Sequence, residues 1–383
     1  EPARRGGITH FIEHMLFKGT AKKSSLEIVK LIEGLGGSFD AFTTKENLII
    51  LTKFLSEHLS KVLGLILEIL MESKFAPADL AKEKSVVLEE IKTDEDDPGD
   101  YVFEMLFREI FPEHPLGRPI AGTRESVGRI DQAAALAHYR DILTRRVIIA
   151  VSGYFNLDEI CRIADRRFAG YVPQDRPRTK PAVVAPGIKV RKKREISQVH
   201  VLFGVPTVAY DSPRRGPLFL LNGSLGGGMS SRLFQGLREK AGLVYDVHSF
   251  VDFYSDCGLL GFYFVCDKKN LKPVAAQLKR IFRALGRNGF NREEIEIAKT
   301  YLTGNMLLSM ESSTNRMMRL GRELTYLNKV TPVNQIVGQI QKLSDADVNR
   351  LNRDYLDLKK YSVTAIGPVN QNEIQDLYNS ILG

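Results

Sequence analysis

Cysteine is scarce in this chain, and long apolar runs are missing. Cys161, Cys257 and Cys266 are the only cysteines among 383 residues, an odd number with no CxxC spacing. That excludes a disulfide framework and a cysteine-based zinc site, and a reducing compartment is expected. No stretch approaches the roughly 20 apolar residues that span a bilayer. The nearest, Leu59 to Met71, is interrupted by Lys61 and Glu68 and reads as an amphipathic core helix. Low-complexity tracts are absent too. With 43% hydrophobic and 26% charged residues the composition is that of a soluble, enzyme-sized protein, and its length predicts more than one domain. The chain opens on "EPARRGG", with neither a start methionine nor a targeting segment, and it reads as a sequence whose start has been removed.

The net charge of +8 is unevenly spread. Residues 1–190 hold 27 Lys+Arg against 28 Asp+Glu, and residues 191–383 hold 27 against 18. Much of the excess lies in "KVRKKRE" at 189–195, beside prolines, which reads as a solvated linker. No aromatic-interleaved basic patch accompanies it, so no nucleic-acid partner is expected.

The Pro-rich stretch at 171–197 has no helical periodicity and predicts an inter-domain linker, with domains at 1–183 and 184–383. The two halves run in the same order. Each has helical segments, then alternating strand-like segments ("GGSFDAFTTKENLIILTKFL" and "VYDVHSFVDFYSDCGLLGFYFVCD"), then a long charged helix. Each ends on an apolar strand, "RRVIIAVSGYF" or "KKYSVTAIGPV". The pattern predicts an α+β fold of two duplicated domains, each a largely antiparallel sheet packed with helices.

The chemistry concentrates in "HFIEH", residues 10–14. On a helix His10 and His14 lie about 40° apart, with Glu13 about 60° to the other side of His10, so all three share a face. Two imidazoles one turn apart can bind one metal ion, and zinc suits such ligands when a third protein group leaves a position open for water. Glu13 is then placed to take that water's proton. The third ligand is sought in "LAKEKSVVLEEIKTDEDDP". There Glu83 and Glu90 lie seven residues apart with Val86 and Val87 between them on the same face. A carboxylate on a face that wants burial asks for a cation. Glu89, about 100° round from Glu90, points elsewhere.

"HFIEHMLFKGT", with Glu90 in "EKSVVLEEI" 76 positions after His14, resembles the inverted-motif zinc peptidases of the pitrilysin and insulinase type. "GGSFDAFTTKEN" and "GGGMSSRLFQGLREKAGLVYDV" extend the resemblance, and "HPLGRPIAGT" is most similar to the processing-peptidase branch, bacterial or mitochondrial. The resemblance implies one Zn2+ per chain on His10, His14 and Glu90, with Glu13 as general base and Glu83 as a supporting carboxylate. It implies a substrate-engaging pair in Arg238 and Tyr245, although Tyr245 alone reads equally as a buried strand tyrosine. The strand Asp40, Ala41, Phe42 and Thr43 would be the sheet edge to which a peptide adds.

The family further implies two domains facing each other as a clamshell or across a dimer. In the short-chain members this is a homodimer whose zinc face is completed by Arg238 and Tyr245 of the partner subunit. The acidic run Asp94 to Asp100 either draws basic, presequence-like peptides or is a solvated helix end. His114 reads as a surface turn residue. The expectation is thus a zinc endopeptidase, in the bacterial cytoplasm or the mitochondrial matrix. Its competitors are a non-catalytic scaffold subunit and an enzyme active only with a different partner chain.

Overall fold

In a computed structural model, which describes residues 1, 3–174, 181, 182 and 184–383, helices and strands are mixed as the α+β class requires. The chain divides into two compact units. Unit 1 comprises Glu1–Glu95, Arg118–Pro177 and Ser313–Gly321; unit 2 comprises Asp96–Gly117, Arg178–Ser312 and Arg322–Gly383. Segments 96–117 and 313–321 therefore each join the unit that a single cut near residue 183 would deny them. Residue 183 itself, and residues 175–180 of the expected linker, lie outside the described residues.

In unit 1, α1 (Ile8–Leu16) carries the histidine motif. Ile8, Phe11, Ile12, Met15 and Leu16 recur at helical spacing and are fully buried, which anchors the helix. Each contributes about 1.5–3 kcal/mol of burial. The chain enters α1 through Gly7 at φ 87°, where a Cβ would meet the Ala121 carbonyl oxygen at 2.4 Å. Only glycine permits that backbone approach.

A capping box between Ser24 and Glu27 starts α2 (Ser25–Gly34). Strands β1 (Ser38–Thr43) and β2 (Leu48–Lys53) then form an antiparallel hairpin in which Ala41 faces Ile50. Two further helices follow, α3 (Leu59–Glu72) and α4 (Pro77–Asp96). Helix α4 buries Leu80, Glu83, Val87 and Ile91, a single stripe. Val86, expected on that stripe, is 44% exposed, because one residue is 100° of rotation and carries it off the face that Val87 occupies. The expected strand in "RRVIIAVSGYF" is also corrected. Among the described residues 146–151 enter no ladder, since an apolar run records an appetite for burial and not a pairing partner.

Unit 2 is built on a five-stranded sheet in the order β3-β7-β4-β6-β5. Its strands are β3 (Ile188–Lys192), β4 (Gln198–Thr207), β5 (Asp246–Phe253), β6 (Gly258–Asp267) and β7 (Ser362–Gly367). β3 runs parallel to β7, and the other pairs are antiparallel. Both faces are covered. Phe203, Phe262 and Phe264 belong to the larger core, which includes Leu221, Leu278 and Leu377 from helices. Leu202, Tyr263 and Ile366 pack with Val102, Leu106 and Ile110 of α5 (Pro98–Ile110).

Strand β3 corrects the reading of "KVRKKRE" as linker. Ile188 and Val190 pack against the core, with Lys189 exposed between them and Lys192 exposed at the strand end, so a short edge strand was masked by its lysines.

Candidate metal centre

Helix α1 presents His10 and His14 one turn apart, with ring centroids 4.8 Å apart at 68°. Glu90 reaches them from α4. Its Oε2 lies 3.3 Å from His14 Nε2 and 3.9 Å from His10 Nε2. Ligand atoms of the three side chains fall within 4.8 Å of one another, and among the described residues they form the one such group of His, Cys, Asp or Glu.

Two observations fit this arrangement to a metal ion. Glu90 Oε2 is buried and has no hydrogen-bond partner, although its side chain as a whole is 41% exposed. A polar atom in that position is costly unless something absent from the polypeptide satisfies it. The 3.3 Å between His14 and Glu90 also matches the roughly 3.3–3.4 Å that separates tetrahedral ligands held about 2.0–2.1 Å from zinc, while His10 stands wider, at 3.9 Å from Glu90. Burial, with the adjacent His14, lowers the pKa of His10 despite the opposing pull of Glu90 and Glu1. The neutral, ligating form is therefore favoured.

The surrounding groups are ordered by hydrogen bonds. His14 Nδ1 lies 3.2 Å from Glu83 Oε2, and the other oxygen of Glu83 pairs with Lys18 Nζ at 2.6 Å. Glu83 is only 6% exposed. A carboxylate on Nδ1 leaves Nε2 as the free lone pair, directed toward Glu90. Glu13, also buried, accepts a 2.5 Å hydrogen bond from the Thr43 hydroxyl at the end of β1. Thr43, expected as part of a substrate strand, thus touches the expected base directly. Lys18 was not singled out from sequence, and its one local signal is its place four residues after His14.

Strand β1 pairs with β2 alone, and its other edge enters no ladder among the described residues. Asp40 is exposed, Ala41 and Phe42 are half-buried, and the Ala41 amide donates to Asp40 Oδ1 at 2.9 Å.

Arg238 and Tyr245 belong to unit 2. Arg238 sits in the wide helical turn Phe234–Glu239, 3.7 Å from Asp246 Oδ1 and over the Phe234 ring. Tyr245 is 71% exposed just before β5, so it is not a buried strand tyrosine. His114 is also corrected: it is buried, with Nε2 3.2 Å from Asp256 Oδ2, because the turn holding it packs into the core beneath α5.

Comparison with known proteins points the same way. The sequence model described as insulinase (peptidase family M16) matches residues 1–124, and that of the peptidase M16 inactive domain matches 137–302. An uncharacterized zinc protease of Mycobacterium leprae is 33% identical over 374 residues, covering 96% of this chain and 84% of that protein. Another, from Bacillus subtilis, is 33% identical over 363 residues, covering 94% and 88%. Among solved structures, a peptidase M16 inactive domain from Pseudomonas fluorescens superposes with a TM-score of 0.85 at 22% identity, covering 96% of this chain and 89% of that one. A protease from Helicobacter pylori gives 0.83 at 18%, with 96% and 90% covered.

Proposed function

Because this chain belongs to the insulinase family, peptidase family M16, we propose that it is a zinc-dependent endopeptidase acting on extended peptides. His10, His14 and Glu90 are its metal ligands. The observation that carries this reading is Glu90 Oε2, buried and unpartnered between two imidazole nitrogens. Zinc bound there would supply Lewis acidity, polarising the scissile carbonyl and making water acidic enough to lose a proton near neutral pH.

The remaining steps belong to the polypeptide. Glu13 takes the proton of the attacking water and returns it to the leaving amine. Thr43 restricts the Glu13 carboxylate, and Glu83 orients His14. The edge of β1 away from β2, around Asp40, Ala41 and Phe42, pairs with the peptide backbone, giving affinity with loose sequence preference. Arg238 and Tyr245 direct a guanidinium and a phenol at the substrate carbonyl oxygen as it gains charge. In the homodimer we infer, they are contributed by the partner subunit. The acidic run Asp94 to Asp100 favours basic peptides, in keeping with the processing-peptidase branch. The two relatives named above are bacterial, which supports the bacterial form of that branch.

Metal analysis of the purified chain, joined to cleavage of a quenched basic peptide, tests the reading. Wild type is expected to hold stoichiometric zinc and cleave. Glu13→Gln is expected to hold zinc and not cleave. A Glu13→Gln protein cleaving at the wild-type rate contradicts the mechanism, and a wild type without zinc or activity favours a scaffold.

A further inference from the structure

We propose that Lys18 is a positioning residue of the metal centre, acting through Glu83 on His14; the inference rests on the zinc-site reading above. The chain leaves α1 at Leu16 and turns, the Lys18 amide donating to the Met15 carbonyl at 3.1 Å, so that Lys18 continues the face that His14 occupies. Its ammonium lies 2.6 Å from Glu83 Oε1, while Glu83 Oε2 lies 3.2 Å from His14 Nδ1 and His14 Nε2 lies 3.3 Å from Glu90 Oε2. Four side chains therefore form one line, from the turn after α1 to Glu83 of α4, back to His14 of α1 and on to Glu90 of α4.

Glu83 has two oxygens and two tasks. It must be held in one rotamer, and its charge must be compensated where it is nearly out of water. Lys18 does both. With Oε1 fixed by the ammonium, Oε2 remains on Nδ1, which sets the His14 tautomer and ring direction. Charge counting supports the same assignment. Glu13, Glu83 and Glu90 bring three formal negative charges and Lys18 one positive, leaving two for a divalent ion to neutralise when both histidines are neutral. Without Lys18 the excess is three, and Glu83 is free to turn away from His14.

The experiment is zinc affinity, measured by chelator competition on the full chain, with thermal melting of the metal-free protein alongside. Lys18→Met is expected to weaken zinc by about 10–100-fold, the usual effect of losing a group behind a ligand. Lys18→Arg, which keeps the cation, is expected to restore most of that affinity. In a Glu83→Gln background, Lys18→Met is expected to add little. Lys18→Gln serves the same comparison if the methionine variant does not fold. Wild-type affinity in Lys18→Met overturns the proposal, as does an undiminished loss in the Glu83→Gln background, which would make Lys18 merely structural. A wild-type chain that binds no zinc overturns the metal-site reading itself, and is told apart by needing no variant.

Discussion

The Thr43 hydroxyl donates a 2.5 Å hydrogen bond to Oε2 of Glu13, joining the last residue of β1 to the carboxylate at the centre of the histidine motif. The strand proposed to bind the peptide and the group proposed to move the proton are thereby in register. Hydrogen bonds to charged groups are worth about 1.5–3 kcal/mol. Thr43→Val, which keeps shape and removes the donor, is expected to lower kcat by about tenfold or more with KM and zinc content little changed. Thr43→Ser is expected to recover most of the loss. An unchanged kcat in the valine variant would mean that Thr43 serves the strand alone.

Sharing of sites between subunits is testable by mixing. If the chain forms the homodimer proposed above, the Glu13→Gln and Tyr245→Phe variants are each expected to be nearly inactive. Random exchange of the two makes half the dimers mixed, each with one intact pairing, so about a quarter of wild-type activity returns if sites are completed across a two-fold interface. No recovery, with exchange verified by mass spectrometry, would place Tyr245 and zinc of each working site in one chain.

Glu68 provides a pH test of unit 1. It is buried on α3, accepting 2.6 Å hydrogen bonds from Thr20 and Lys23. Burial pushes its pKa up, but the Lys23 and Thr20 hydrogen bonds outweigh that and leave it below the usual 4.5. A carboxylate depressed in the folded state contributes stability above its unfolded value, and that contribution fades as pH falls from about 4.5 through the lowered value. Melting temperatures of wild type are expected to fall more steeply below about pH 5 than those of Glu68→Gln. Parallel curves would show that the pair adds no pH-dependent stability.

The entry to α1 depends on two glycines. Gly122 has φ 82°, and a Cβ there would lie 2.3 Å from the Gly6 carbonyl oxygen, the counterpart of Gly7 against Ala121. Gly122→Ala is expected to cost at least about 1–3 kcal/mol from left-handed backbone strain, with the clash added. Urea denaturation measures it. A loss below about 0.5 kcal/mol would mean that the two segments separate freely.

Within each helix the proposed metal centre was legible in sequence because the spacing there is local, whereas Glu90 meets His14, 76 positions away, only through packing of α4 beside α1. His10 and His14 share a face by helical geometry alone, and Glu83 and Glu90 do so seven residues apart. The linker was harder to read. Exposed lysines hid β3, and its register came from β7, some 170 residues later in the chain. The run at 146–151 shows the converse, apolar residues suited to a strand that meet no ladder partner.

The sequence by itself determined the α+β class, the apolar stripe that seats α1 and the ligand types arranged along it, since these follow from periodicity and side-chain chemistry within a few turns. Tertiary structure alone decided that Lys18 meets Glu83, that Thr43 meets Glu13 and that Val86 turns to solvent while Val87 is buried. The first two contacts join residues 65 and 30 positions apart. No local rule specifies them: they exist because packed helices and a hairpin must satisfy charges that the core cannot leave alone.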